Sequence, residues 1–337
     1  MKDNTKVVYW LITGCVLIFI MVVVGGITRL THSGLSISSY KLISGTIPPM
    51  SKIEWQEAFD LYKQYPEYQK INQHFELQDF KDIYFWEWLH RFIGRFIGIV
   101  FIIPFLYFLL KKQLTKSTIK KSIILLALGG FQGFLGWYMV KSGLVDRPDV
   151  SHYRLALHLT TAFITFSFAM WIAMDIKFPE RKEINIPLRN IIRWAFVLLI
   201  IQIVWGAFVA GLDAGFIHNF WPFMSDGKLI HETVYIEQNP VWRNFVEGKS
   251  GVQFIHRYLA YVVTGLIIFI WFKAKKTSIN NLQQVLLKSL IWVVLLQFTL
   301  GVFTLLFQVP VILGVLHQVV AFFLLAVITF TLHRFSK

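Results

Sequence analysis

The sequence contains very little cysteine and few acidic residues. Its only cysteine, Cys15, excludes an intramolecular disulfide and a metal site built from several thiolates. The 19 acidic residues are outnumbered by 33 Lys and Arg, and charged residues make up only 15% of the chain. Hydrophobic residues, by contrast, make up 55%. This balance predicts a membrane protein rather than a water-soluble domain.

The hydrophobic residues are collected in runs long enough to span a bilayer. A helix of about 20 residues crosses a hydrocarbon core of about 30 Å, whereas an open strand would leave backbone groups unpaired in lipid. The first run is longer than a signal-peptide core and no small-x-small cleavage site follows it, so we predict a span there too. The eight predicted spans are residues 7–28, 86–110, 122–141, 153–174, 191–211, 253–272, 284–306 and 311–333.

The net charge of +14 is consistent with nucleic-acid binding, but its distribution favours another explanation. Loop 111–121 has five Lys and no acid, loop 175–193 has five basic residues against three acidic ones, and 273–276 adds three Lys. The alternate loops, 29–82 and 212–250, have more acidic than basic residues. Since positive loops stay in the cytoplasm, both termini are predicted inside and the two long loops outside. We therefore expect no nucleic-acid partner.

The two halves of the chain repeat one order of features. Each has a long outer loop, a span that opens with His-Arg, a span with Gln and Gly, and a span with one internal His. We therefore predict an all-α integral membrane protein with eight transmembrane helices in two pseudo-symmetric four-helix bundles. The N-terminal half is residues 1–180, with outer loop 29–82, and the C-terminal half is residues 181–337, with outer loop 212–250. The matching segments are "WEWLHRFIGR" and "VQFIHRYLAY", "GGFQGFLGW" and "LLQFTLGVF", and "RLALHLTTA" and "LGVLHQVVA".

Four histidines lie at a similar predicted depth, two in each half: His90, His158, His256 and His317. A lone histidine in a span is often only an interhelical hydrogen-bond partner, because polar groups at such depth need one. Two histidines facing each other across a bundle can instead hold haem iron from both sides. Zinc is the rival metal, although it favours four converging ligands. Two pairs in two repeats favour two haem sites.

An arginine follows each of the two histidines His90 and His256. Arg91 and Arg257 are candidate partners of haem propionates, because arginine pairs strongly with carboxylates. The alternative is that each arginine extends to the outer lipid headgroups. Arg29 and His152, near outer span ends, are further candidates for lining a site or contacting propionates, although for His152 a plain interface role is favoured.

Glu87 breaks the repeat. It lies three residues before His90, on the same helix face, whereas Gln253 takes the same position before His256. A buried carboxylate there could act as a base, so the N-terminal half is predicted to be the reactive one. The alternative is a salt bridge to Arg91 or Arg95.

Several motifs together resemble the haem A synthase family, in its longer form from Gram-negative bacteria and mitochondria. They cover nearly the whole chain in order, and their combination is specific although each alone is weak. The motifs are "GGITRLTHSGLSI" (25–37), "WEWLHRFIGR" (86–95), "GWYMVKSGL" (136–144), "VSHYRLALHL" (150–159), "GAFVAGLDAG" (206–215), "FIHRYLAY" (254–261) and "LGVLHQ" (313–318).

The resemblance implies an oxidoreductase that converts the C8 methyl of haem O into the formyl group of haem A, with water as the oxygen source. It implies that His90 and His158 ligate the substrate haem, that His256 and His317 ligate a resident haem b, and that Glu87 is catalytic. The cysteine pair of shorter relatives is missing, so the electron acceptor stays open, with a quinone as candidate.

The resemblance also implies a multi-pass protein of the bacterial inner membrane that takes part in cytochrome oxidase assembly. Haem O synthase and oxidase assembly factors are candidate partners. Two other classes remain open from the residues themselves. One is a di-haem cytochrome b-type electron-transfer subunit, which would not need Glu87. The other is a transporter built from repeats, which is less favoured because four spans per half make the repeats parallel.

Overall fold

The computed structural model describes residues 4–37, 44–143, 148–179, 186–225 and 227–336. Within these ranges the regular structure is helical and contains no β-strand. The short 3₁₀ helices are Ser44–Thr46, Ala214–Phe216, Glu232–Tyr235 and Val241–Arg243. The α-helices are α1 (Thr5–Leu30), α2 (Lys52–Tyr62), α3 (Pro66–Lys70), α4 (Leu77–Leu110), α5 (Lys116–Gly143), α6 (His152–Lys177), α7 (Ile186–Gly211), α8 (Asn244–Glu247), α9 (Lys249–Ala274), α10 (Asn281–Leu306) and α11 (Val311–Ser336).

Eight of these helices are long and apolar enough to cross a membrane, and they match the eight predicted spans. The all-helical membrane fold is therefore confirmed. The largest difference is α4, which begins at Leu77 rather than at residue 86. Its start is fixed by capping, because the Asp79 carboxylate accepts a hydrogen bond from the backbone N–H of Glu76, 2.9 Å away.

In its described part, loop 29–82 contains the helices α2 and α3. Ser51 and Glu54 form a capping box that begins α2, and Pro66 begins α3. Phe59 and Tyr62 of α2 pack against Phe80 of the α4 extension in a buried aromatic cluster. Outside lipid, burial of each such side chain contributes about 1.5–3 kcal/mol. The cluster therefore anchors this loop to the part of α4 that precedes Glu87.

The chain forms two compact units, residues 13–162 and residues 1–12 with 163–337. In the second unit α7 packs against α9 and α11, and α10 packs against the same two helices. The four helices therefore form a closed bundle in which each one packs against two of the others. In the first unit α4 packs against α5 and α2. The division at residue 180, the pseudo-symmetry of the halves and the cytoplasmic position of both termini stay predictions.

Candidate functional site

Each of the four span histidines lies against a glycine of the preceding span. The glycine allows the imidazole to approach the neighbouring helix backbone, because it has no Cβ in the way. The pairs are Gly25 of α1 with His90 of α4, Gly136 of α5 with His158 of α6, Gly206 of α7 with His256 of α9, and Gly301 of α10 with His317 of α11.

At three of these contacts a Cβ on the glycine would crowd the imidazole. A Cβ added to Gly301 would lie 2.9 Å from Cε1 of His317, and one added to Gly206 would lie 3.0 Å from Cε1 of His256. A Cβ added to Gly25 would lie 3.1 Å from Nε2 of His90. The glycines therefore set where each histidine ring sits.

His256 and His317 face each other within one unit. Their ring centroids are 6.5 Å apart and their planes are nearly perpendicular, at 84°. Two metal–nitrogen bonds of about 2 Å plus half a ring on either side add to about 6 Å, so one metal ion fits between the rings. Nδ1 of each ring is buried and makes no hydrogen bond to a side chain in the described part of the chain. The pair therefore suits axial ligation of a haem iron.

His90 and His158 form the corresponding pair in the other unit. The two imidazoles are close enough to interact electrostatically, and Nδ1 of His158 is also buried without a partner among the described residues. Zinc would favour further ligands. Across the described ranges no group of three or more His, Cys, Asp or Glu side chains converges on a point. The arrangement therefore favours two-ligand sites over a tetrahedral zinc centre.

Glu87 is 2% exposed and is held by three donors. Its Oε1 lies 2.6 Å from the Arg91 guanidinium, and its Oε2 accepts hydrogen bonds from the Ser36 hydroxyl and the Ile37 backbone N–H, both at 2.7 Å. An ionised carboxylate has acceptor capacity for all of these bonds. The salt bridge predicted as the alternative role does form, with Arg91, and it fixes the carboxylate one turn from His90.

Gln253 takes the equivalent position in the other unit. Its side chain donates hydrogen bonds to the backbone, whereas that of Glu87 accepts them. Its amide nitrogen donates to the backbone carbonyls of Ala214, at 2.9 Å, and Ile217. Glu87 thus binds a backbone N–H of the segment after α1, whereas Gln253 binds backbone carbonyls of the segment after α7. The Glu/Gln difference has a local structural reason as well as a catalytic interpretation.

The two predicted propionate partners bind the segments that follow α1 and α7. Arg91 donates to the carbonyl of Ile37 at 2.8 Å, in addition to pairing with Glu87. Arg257 is buried and donates to the carbonyls of His218 and Phe223, each at 2.9 Å. Neither guanidinium is used only for lipid headgroups. Their role toward propionates stays a prediction.

The remaining candidates lie nearer the helix ends. Arg29 is half-buried at the end of α1, with one guanidinium nitrogen 3.5 Å from Nδ1 of His32. His152 begins α6 and packs its ring on Tyr153, with centroids 4.0 Å apart. Their roles in lining the site also stay predictions.

Two kinds of site residue were not predicted from the sequence. Ser36 and Ile37 hold Glu87 from a segment far away in the chain, and no local pattern marks that contact. Gly25 and Gly206 were not singled out, although each is the counterpart of a glycine quoted in the Gln-and-Gly spans. Gly25 and Gly206 each stand first in one of the quoted family motifs, which is the signal that could have revealed them.

Comparisons with known proteins cover the whole of this architecture. The family model described as cytochrome oxidase assembly protein (COX15-CtaA) matches residues 8–329. A protein named heme A synthase from Flavobacterium johnsoniae is 60% identical over 100% of this chain and 99% of its own length. Proteins of the same name from Flavobacterium psychrophilum and Parvibaculum lavamentivorans are 59% and 42% identical, covering 100% and 99% of this chain and 100% and 96% of their own lengths. The chain therefore belongs to the haem A synthase family of multi-pass membrane proteins.

Proposed function

We propose that this chain oxidises the C8 methyl group of haem O to a formyl group, giving haem A for terminal cytochrome oxidase. The observation that carries the proposal is the pairing of four histidines at glycine contacts, two in each unit, in a chain that shares 60% of its residues with a heme A synthase over its full length. The alternative of a di-haem electron-transfer subunit does not need a carboxylate beside one pair, and the names of the relatives do not favour it.

The two pairs have different tasks in this proposal. His90 and His158 bind the iron of the substrate, haem O, and orient its porphyrin next to Glu87. His256 and His317 hold a resident haem b, which would carry single electrons when bound. The 6.5 Å separation of the latter rings supports this assignment.

Glu87 is the proposed catalytic residue. Conversion of a methyl group and one water into a formyl group releases four electrons and four protons, so the site needs a proton acceptor and an electron acceptor. The Glu87 carboxylate accepts a proton from the attacking water, or stabilises positive charge at the methyl carbon. Arg91, Ser36 and Ile37 keep it fixed in both cases. A quinone is the proposed final electron acceptor.

The proposed location is the bacterial inner membrane, with both termini in the cytoplasm and the histidine pairs in the outer leaflet. The lysine-rich loops 111–121 and 273–276 support this orientation. Haem O synthase is the proposed supplier of substrate, and oxidase assembly factors are the proposed recipients of the product.

The test is conversion of haem O by purified protein in the presence of a quinone, in heavy-oxygen water. We expect haem A by chromatography and mass spectrometry, with the heavy isotope in the hydroxymethyl intermediate. His90→Ala should bind no haem O in its first unit, and His256→Ala should lose the haem b spectrum. Unlabelled intermediate would overturn water as oxygen source, and no conversion would overturn the proposed reaction.

A further inference from the structure

The helices α6 and α11 match in length and in the position of their histidine, but they differ near their starts. Each has 26 residues, and the seventh residue is His158 in α6 and His317 in α11. The third residue is Arg154 in α6 and Leu313 in α11. One unit therefore has a cation one turn before its histidine, where the other unit has an apolar side chain.

Arg154 lies on the helix face that carries His158. Residues four apart on a helix are neighbours on one face, with Cβ atoms about 5–6 Å apart. Both side chains also contact the same stretch of α5. A Cβ added to Gly136 would lie 3.5 Å from Cε1 of His158, and Nη1 of Arg154 donates to the backbone carbonyl of Tyr138 at 2.6 Å. The guanidinium and the imidazole are therefore on the same side of α6.

The ring of Tyr138 fixes the position of this guanidinium. The central carbon of the Arg154 guanidinium lies 3.7 Å from the ring centroid, in a cation–π contact. A guanidinium has five N–H donors in a rigid fork, and within the described ranges Arg154 donates one hydrogen bond, to the Tyr138 carbonyl. The side chain is only half-buried. Its other donors are therefore held ready for a partner that accepts two parallel hydrogen bonds, as a carboxylate does.

The start of α6 is an unfavourable place for a cation unless an anion lies nearby. A helix carries partial positive charge at its N-terminus, so acidic side chains stabilise that end and basic ones do not. The first turn of α6 has no acidic residue and contains Arg154. Helix stability thus gives no reason for an arginine here, whereas an anionic ligand would be attracted by both the guanidinium and the helix end.

We propose that Arg154 binds a propionate carboxylate of the substrate haem O while His158 binds its iron. The inference rests on the proposed function, because it assigns haem O to the pair of His90 and His158. The two propionates of a haem stand at one edge of the porphyrin, and that edge then faces the N-terminal end of α6. Leu313 offers no charge at the matching position of the haem b site, so this contact distinguishes the substrate site from the resident one.

A lipid headgroup is the other source of an oxyanion at this position. Its phosphate accepts the same hydrogen bonds, and arginines at helix ends commonly extend to the membrane surface. The two sources differ in their response to one chemical change. Esterification of the propionates removes the negative charge from haem O and leaves the headgroups untouched.

The experiment compares the binding of haem O and of its dimethyl ester to the purified protein. Dissociation constants are measured by absorbance titration in detergent, with His90→Ala as the background for unspecific uptake. Arg154→Leu copies residue 313, and Arg154→Gln keeps an N–H donor for the Tyr138 carbonyl but removes the charge. Lys275→Leu is the control, because it removes another cation that contacts an aromatic ring, 5.2 Å from the Trp271 centroid at the end of α9.

We expect the wild-type protein to bind haem O about 10- to 100-fold more tightly than the ester, as hydrogen bonds between charged groups imply. Arg154→Leu and Arg154→Gln should bind both porphyrins with the affinity that the wild type has for the ester. Lys275→Leu should keep the wild-type preference. A merely structural role of Arg154 would weaken the binding of both porphyrins equally and leave their ratio unchanged.

Three results would overturn the inference. One is equal binding of haem O and its ester by the wild type, and another is a preference for haem O that persists in both Arg154 variants. The third is a loss of anionic-lipid binding by the variants with unchanged porphyrin binding, which would make Arg154 a headgroup contact. If the wild type converts haem O but does not discriminate against the ester, only this inference fails. If it prefers haem O through Arg154 but never converts it, only the proposed reaction fails.

Discussion

Replacement of Glu87 by glutamine changes one atom of a fully enclosed side chain. Its carboxylate pairs with Arg91 at 2.6 Å and accepts hydrogen bonds from Ser36 and Ile37, both at 2.7 Å. In the variant an amide NH2 group must face either the guanidinium or the Ser36 and Ile37 donors. In both orientations a donor is opposed to a donor, and the positive charge of Arg91 loses its counter-charge.

The size of this effect follows from the burial of the group. Removal of one partner of a buried ion pair costs about 3–5 kcal/mol, and each hydrogen bond to a charged group contributes about 1.5–3 kcal/mol. These two free-energy costs describe the same contacts, so they are not added together. Against a typical stability of about 5–15 kcal/mol, a loss of about 3–5 kcal/mol leaves the protein folded but loosens the segment that contains Ser36.

The assay therefore has to separate catalysis from anchoring. We expect Glu87→Gln to retain bound haem O and form no haem A. Ser36→Ala is the control, because it loosens the same segment by about 1.5–3 kcal/mol and keeps the carboxylate; it should still make haem A. Product formation by Glu87→Gln at the wild-type rate would refute the catalytic role. Equal loss of product in both variants would make Glu87 a structural anchor.

Three further outcomes are expected from the geometry. Gly301→Ala should displace His317 and remove the haem b absorbance, whereas Gly265→Ala, where a Cβ meets nothing within 4 Å, should keep it; equal spectra would contradict the glycine contact. Burial raises the pKa of the Glu67 carboxyl to about 8 from its ordinary 4.5, so its stability contribution is complete below pH 4.5 and is lost as the pH rises through 8. Protection of the α2 amides, measured as exchange slowed relative to the unfolded chain at the same pH, should accordingly fall toward high pH in the wild type, and less so in Glu67→Gln. Finally, cysteines placed in loop 111–121 should react with a membrane-impermeant reagent only from the cytoplasmic side, and reaction from outside would reverse the topology.

The membrane spans could be predicted from the sequence because lipid leaves the backbone few choices. Each apolar run had to be a helix, and all eight runs are helices in the structure. The start of α4 could not be placed in this way, since it lies outside the apolar run. There the Asp79 cap and the contact of Phe80 with α2 determine where the helix begins.

The candidate site could be predicted only in part, because its residues come from distant segments. The four histidines were recognisable from their repeated spacing, and Glu87 because Gln253 takes its position in the other half. The partners of Glu87 were not, since Ser36 and Ile37 approach it through the fold rather than along the helix. The glycine under each histidine could not be assigned either. In sequence, α2 and α3 separate the first glycine from His90, so the contact depends on which helices are neighbours.

The most direct test of the account is extraction of the porphyrins bound to the purified protein, followed by chromatography and mass spectrometry. Two chemically different haems in one chain are the central claim. The account predicts haem b together with haem O, haem A or a hydroxylated intermediate, and it predicts that His256→Ala removes only the haem b. Haem b alone at both sites would contradict the account and identify an electron-transfer cytochrome instead.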